Sequence, residues 1–190
     1  TRFMGGSGDA KPTGSAASGL VRRRHEAVRR GLPGSGLTAY TCSVVSLALQ
    51  PLAVIKDRAT PAELPAKVPA YCGEAYSHAA SRPDITINGL MIALYRPGAE
   101  PGMLDLEVGI QVQAPFAASG RVVASALPAC RAATTAHYGD YARLGEAYRA
   151  LAEWCKAEGL STTSLHWELY GHWSDDPAKV RTDVLFQLAP

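Results

Sequence analysis

"HWELYGHWSDDPAKVRTDVLFQL", residues 166–188, contains two short stretches that each have a counterpart earlier in the chain, in the same order. "ELY" at 168–170 aligns with "ALY" at 93–95, an offset of 168 − 93 = 75, and "TDVLFQL" at 182–188 aligns with "LEVGIQV" at 106–112, an offset of 182 − 106 = 76. Both stretches alternate in the period-2 pattern of strands. Near-equal offsets across two strands in one order indicate a duplicated unit.

Working outward, strands are expected over 40–55, 90–96, 103–113, 122–137, 163–171 and 179–188, with Pro51 and Pro128 breaking the first and fourth. The clearest helix spans 141–158. Leu144, Ala147, Tyr148, Leu151, Trp154 and Cys155 form its apolar stripe, Asp140 caps its start and Gly159 its end. A second helix is expected over 69–80, its start confined by Pro65 and Pro69, with Cys72, Ala75, Tyr76 and Ala79 facing inward. The order is strand, helix, strand, strand, twice over. The fold class is therefore α+β: a duplicated βαββ unit with pseudo-twofold symmetry, two helices on antiparallel sheet and a central ligand cleft.

Composition narrows the function classes. The chain has 190 residues, 47% hydrophobic and 19% charged, as expected for one globular domain with tails, and a net charge of only +2 gives its body no electrostatic case for nucleic acid. Residues 1–36 are rich in Gly, Ser, Ala and Arg and read as a flexible basic segment or linker; "VRRRHEAVRR" at 21–30 reads as a solvated basic tail, with a phosphate-touching arm or the remnant of a DNA-binding domain as the alternative. The domain proper is expected over 37–190, with halves near 37–115 and 120–190. Cys42, Cys72, Cys130 and Cys155 form no CxxC pair and read as reduced thiols of a cytoplasmic protein. The most apolar run, 43–55, is too short and too broken to span a bilayer, so no membrane partner is expected. His78, His137, His166 and His172 show no ligand spacing, and no metal or cofactor is expected.

The duplication also isolates a difference. Where the first half has Ala93, the second has Glu168, so a small residue across the pseudo-axis leaves room before an acid set among rings. Strand alternation puts His166, Glu168 and Tyr170 on one face and Trp167 and Leu169 on the other. Tyr95 and Tyr170 hold matching places in the two halves. Tyr71, Tyr76, Met91, Phe116 and Trp173 are weaker candidates for the same pocket, while Tyr148 and Trp154 read as core.

The run "RVVASALPACRAATTAHYGDYARLGEAYRALAEWCKAEGL" followed by "HWELYGHWSDDPAKVRTDVLFQL", with "PAYCGEAYSH", "LMIALYRP" and "LDLEVGIQV" before it, resembles the GyrI-like small-molecule-binding domain, also found as the effector domain of multidrug-sensing bacterial regulators. The resemblance covers about 37–188. It implies an aromatic pocket for flat, lipophilic, often cationic compounds, with the pocket glutamate at Glu168, its neighbouring tyrosine at Tyr170 and the preceding tryptophan at Trp167. It implies no DNA contact except through a separate domain. The expected function is promiscuous, non-enzymatic binding of such compounds. The rival is hydrolysis of the cyclopropane ring of DNA-alkylating natural products, with Glu168 as general base and Tyr170 or His166 as proton donor. Inhibition of a topoisomerase through a protein contact would need an acidic surface, and the chain has no acidic run.

Overall fold

The computed structural model describes residues 40–172 and 174–190. The basic stretch at 21–30 and Trp173 lie outside them. Eight strands are present among the described residues: β1 (Cys42–Leu47), β2 (Gln50–Ala59), β3 (Ile87–Pro97), β4 (Leu104–Val112), β5 (Val122–Leu127), β6 (Cys130–Tyr138), β7 (Thr162–Tyr170) and β8 (Arg181–Leu188). Helix α1 (Leu64–Ser81) follows β2 and α2 (Leu144–Ala157) follows β6, each entered through a 3₁₀ turn. All eight strands form one antiparallel sheet in the order β1-β6-β8-β7-β3-β4-β2-β5. The class is α+β, two helices on an antiparallel sheet.

Exchanging β1 with β5, β2 with β6, β3 with β7 and β4 with β8 returns the same strand order read from the other end. The repeating unit is thus strand, strand, helix, strand, strand, one strand longer than the βαββ expected. The extra strand is exchanged: β1 pairs with β6 of the second half and β5 with β2 of the first. At the centre Ala93 pairs with Glu168, Met91 with Tyr170 and Tyr95 with His166, so the pseudo-axis passes between Ala93 and Glu168.

The chain breaks differ from the proline-based expectation. β1 and β2 are joined by Ala48 and Leu49, while Pro51 sits inside β2 opposite Ala126; Pro128 does lie in its expected break, between β5 and β6. Near a strand end proline forfeits only one ladder bond, so β2 tolerates it.

These two-residue links fix the shape of the sheet. β1 and β2 stand six strand spacings apart in the order, about 29 Å if flat, yet two residues bridge at most about 11 Å. The sheet must therefore curl until its ends meet. The core on the inside of the curl draws on both ends: Val45 and Leu47 of β1, Leu127 of β5 and Leu52 and Val54 of β2 surround Ile92, Leu94, Trp167 and Leu185. Gly109 serves the same curl, since a Cβ there would meet the Ala53 carbonyl oxygen at 1.9 Å.

The helices cover the other face. α1 packs on β4, β2 and β3, and α2 on β6 and β8. Asp140 accepts a hydrogen bond from the Ala142 N–H at the entry to α2, and Gly159 takes φ +66° just beyond its end, as their positions in the sequence predict. α1 begins earlier than expected, at Leu64, and carries Pro69 within it. At its second turn that proline leaves only the Pro65 carbonyl without its helical partner. The buried stripe of α1 is Val68, Ala75 and Ala79, and Tyr76, expected inward, is 48% exposed at its margin. Among the described residues no helix is long and apolar enough to cross a membrane. The four cysteines are unbridged.

Candidate functional site

β7 lies between the sheet regions that the two helices cover. Glu168 projects from it toward the helices and is only 7% exposed, because rings close over it. Tyr148 of α2 donates its hydroxyl to Glu168 Oε1 at 2.6 Å. Tyr170 donates to Oε2, and Tyr95, from β3 across the pseudo-axis, donates to the same oxygen at 3.2 Å. The Tyr95 and Tyr170 hydroxyls lie 3.4 Å apart.

No positively charged side chain pairs with Glu168 among the described residues. Burial therefore raises its pKa above the ordinary carboxylate value, and the hydroxyls of Tyr148, Tyr170 and Tyr95 pull it part of the way back. The same burial, with the acid nearby, raises the pKa of all three tyrosines, so they stay protonated donors at neutral pH.

His166 flanks the acid on β7. It stacks on Tyr95 at a centroid distance of 5.3 Å and meets Tyr148 and Phe186 edge-on at 5.7 and 6.1 Å. Burial lowers its pKa, leaving a neutral imidazole in an aromatic box. On the other flank Tyr141, 47% exposed, meets Tyr170 edge-on at 6.1 Å and forms an outer wall. Cys72 of α1 packs near Ala93, Tyr95 and Tyr170; burial, and after it the charge of Glu168, push its thiol up to about 12, so it presents a neutral, soft surface.

Of the residues singled out from the sequence, Glu168, Tyr170, Tyr95, His166 and Ala93 are gathered in this cluster; Met91 pairs with Tyr170 in the β3–β7 register, while its side chain packs with Ile85, Ile110 and Val112. Trp167 lies on the opposite face, fully buried with Leu52, Val54 and Leu185. Tyr71 turns its hydroxyl to Asp57 Oδ2 at 2.5 Å, with Arg121 over its ring, and Phe116 packs under Arg82 beside Ile85 and Val112. Neither Tyr71 nor Phe116 takes part in the hydrogen bonds around the acid.

Tyr148, read as core from its helical stripe, gives the acid its one bond from a helix. Comparison of the halves would have found it. Positions 80 apart correspond at the start of each half, as Thr60 and Asp140 do before the two 3₁₀ turns, and Tyr148 then corresponds to Val68. Among the described residues no group of three or more His, Cys, Asp or Glu side chains could hold a metal.

Residues 40–189 match the family model described as the GyrI-like small molecule binding domain. Among solved structures, the C-terminal domain of EcmrR is similar with a TM-score of 0.68 at 20% identity, over 80% of this chain and 99% of that one. In an EcmrR–DNA complex the similar region covers 57% of the EcmrR chain. SAV2435 bound to tetraphenylphosphonium is similar with a TM-score of 0.57 at 12% identity, over 80% and 94% of the two chains. A Listeria innocua protein encoded by lin2189 and described as a hydrolase is similar with a TM-score of 0.53 at 12% identity, over 78% and 91%. At such identities the likeness is one of fold. A comparison with curated proteins found no match. The match over residues 40–189 settles the family: this chain belongs to the GyrI-like small molecule binding domain family.

Proposed function

We propose that this domain binds lipophilic, aromatic, cationic small molecules promiscuously, with Glu168 as the counter-charge and the surrounding rings as the stacking surface. The observation that carries the reading is a carboxylate 7% exposed, held by hydroxyls alone and paired with no cationic side chain among the described residues. Such a group is costly as an anion unless a positive charge is brought to it. A cation entering beside Tyr95, Tyr148 and Tyr170 would gain ion pairing and cation–π contact, together worth about 2 kcal/mol or more when desolvated. Recognition by area and one charge, without a full hydrogen-bond set, suits many ligands. The tetraphenylphosphonium complex of SAV2435 is a lipophilic cation on the same fold, and the EcmrR–DNA complex supports a role as the effector half of a transcription regulator, with DNA read elsewhere.

The test is titration of a rhodamine-type cationic dye, and of a neutral aromatic analogue, into wild type and Glu168→Gln. The expected result is micromolar binding of the dye, weakened about tenfold by the substitution, or ~1.4 kcal/mol, with the neutral analogue unaffected. No binding of the dye to wild type would overturn the reading.

A second reading follows from the hydrolase description of the lin2189 protein. Glu168 would take a proton from water as its oxygen attacks a cyclopropane carbon, the ring carbon–carbon bond would break toward a conjugated carbonyl, and Tyr170 or His166 would protonate that oxygen. Two features weigh against it: Glu168 already accepts three hydroxyl bonds, and His166 is a neutral imidazole boxed by rings. Hydrolysis of a cyclopropane-bearing alkylator by wild type but not by Glu168→Gln would favour this reading over binding alone.

A further inference from the structure

The two helices face the pseudo-axis with different chemistry, and the difference falls on corresponding positions. On the α2 side stand Glu168 and Tyr148; their counterparts on the α1 side are Ala93 and Val68. Val68 is 8% exposed and Ala93 fully buried, packed with Leu106, Val108 and the partly buried Cys72. The thiol of Cys72 is neutral at physiological pH. Among the described residues of that cluster no acid faces the axis from α1: Asp57, the nearest acid on β2, is engaged by Lys67 at 3.0 Å and Tyr71 at 2.5 Å. A symmetric framework thus holds one polar half and one apolar half. A second positive charge placed against Val68 and Ala93 would be desolvated with nothing to compensate it.

We propose that the domain takes a lipophilic monocation between its two helices in one orientation, charge beneath Tyr148 and apolar body against Val68, Cys72 and Ala93, and that it discriminates against a bis-cation of the same shape. This rests on the cation-binding reading and narrows it to a ligand class and a direction.

A matched pair of probes isolates the second charge. In 4-tert-butylbenzyltrimethylammonium the far end is a quaternary carbon; in 4-(trimethylammonio)benzyltrimethylammonium the same position is a quaternary nitrogen of the same shape. Calorimetric titration of the full chain is expected to show the monocation binding at least tenfold tighter than the bis-cation. Val68→Glu, which supplies the missing acid, is expected to bring the two probes within about threefold of each other; should that variant fail to fold, the wild-type comparison decides.

Equal or tighter binding of the bis-cation by wild type, with the monocation still bound, overturns the orientation and leaves cation binding standing. Absence of monocation binding overturns both.

Discussion

Under the proposed function, Glu168 concentrates the chemistry of this domain in one titration. Its pKa is raised in the folded chain, because burial opposes the charge more than three hydroxyls favour it. An acid with a raised folded-state pKa binds more protons folded than unfolded between the two values, so its contribution to stability is greatest below the unfolded carboxylate range and falls as pH rises through the folded value. Glu168→Gln is therefore expected to raise the melting temperature at pH 7 to 8, with the gain shrinking toward pH 4, as thermal unfolding across that range will read. In the proposed function a cation pairs with the ionised form, so affinity for a cationic dye should fall as the pH drops through a midpoint above the ordinary carboxylate value. Tyr148→Phe removes a bond that favours the charged form and should move that midpoint further up, a shift that loss of packing alone would not produce. At this scale the strand was readable and the helix was not. Period 2 placed His166, Glu168 and Tyr170 on one face, because a strand fixes which way each side chain points. The stripe of α2 says only that Tyr148 faces inward; whether its hydroxyl meets a leucine or a carboxylate depends on which strand lies beneath.

Each element shows where its local rule was overruled. The ends of α2 were legible because Asp140 and Gly159 act within a few residues of themselves. The start of α1 was not, because packing of Val68, Ala75 and Ala79 carries the helix across Pro69. α1 is also tied to β2 by Asp57, which accepts from Tyr71 and Lys67; these bonds, Tyr71 first, pull the Asp57 carboxyl down to about 2. A lowered pKa gives stability that is present above the unfolded aspartate range and is lost as pH falls toward 2. Asp57→Asn should accordingly lower the melting temperature at neutral pH, with little difference from wild type at pH 2. In β4, Gly109→Ala forces a Cβ into the Ala53 carbonyl and is expected to destabilise the fold by about 2 kcal/mol or more, measurable by urea unfolding. The corresponding position in β8 is Leu185, which fills the inner core. The curl is built differently in the two halves.

For the whole molecule, the duplication was visible in sequence while the exchange of β1 and β5 was not. Repeats reveal which segments are alike; they carry no information on which copy a strand pairs with, since that is decided by contacts between residues such as Cys42 and Thr135, far apart along the chain. The exchange makes each half dependent on the other for an edge strand and for the central β3–β7 pairing. Cleavage between β4 and β5 should therefore yield two fragments that are unfolded alone and regain native circular dichroism when mixed in equal amounts. The same topology bears on synthesis in the cell. A chain still emerging from the ribosome has made β1 (ending at Leu47) well before its partner β6 (from Cys130), and β3 (ending at Pro97) well before β7 (from Thr162), so its first half waits with β1 unpaired and the free side of β3 open. Its early life is spent as a sticky, incomplete sheet, and chaperone capture or slow codons near the junction would matter more for this protein than for one whose repeats close on themselves.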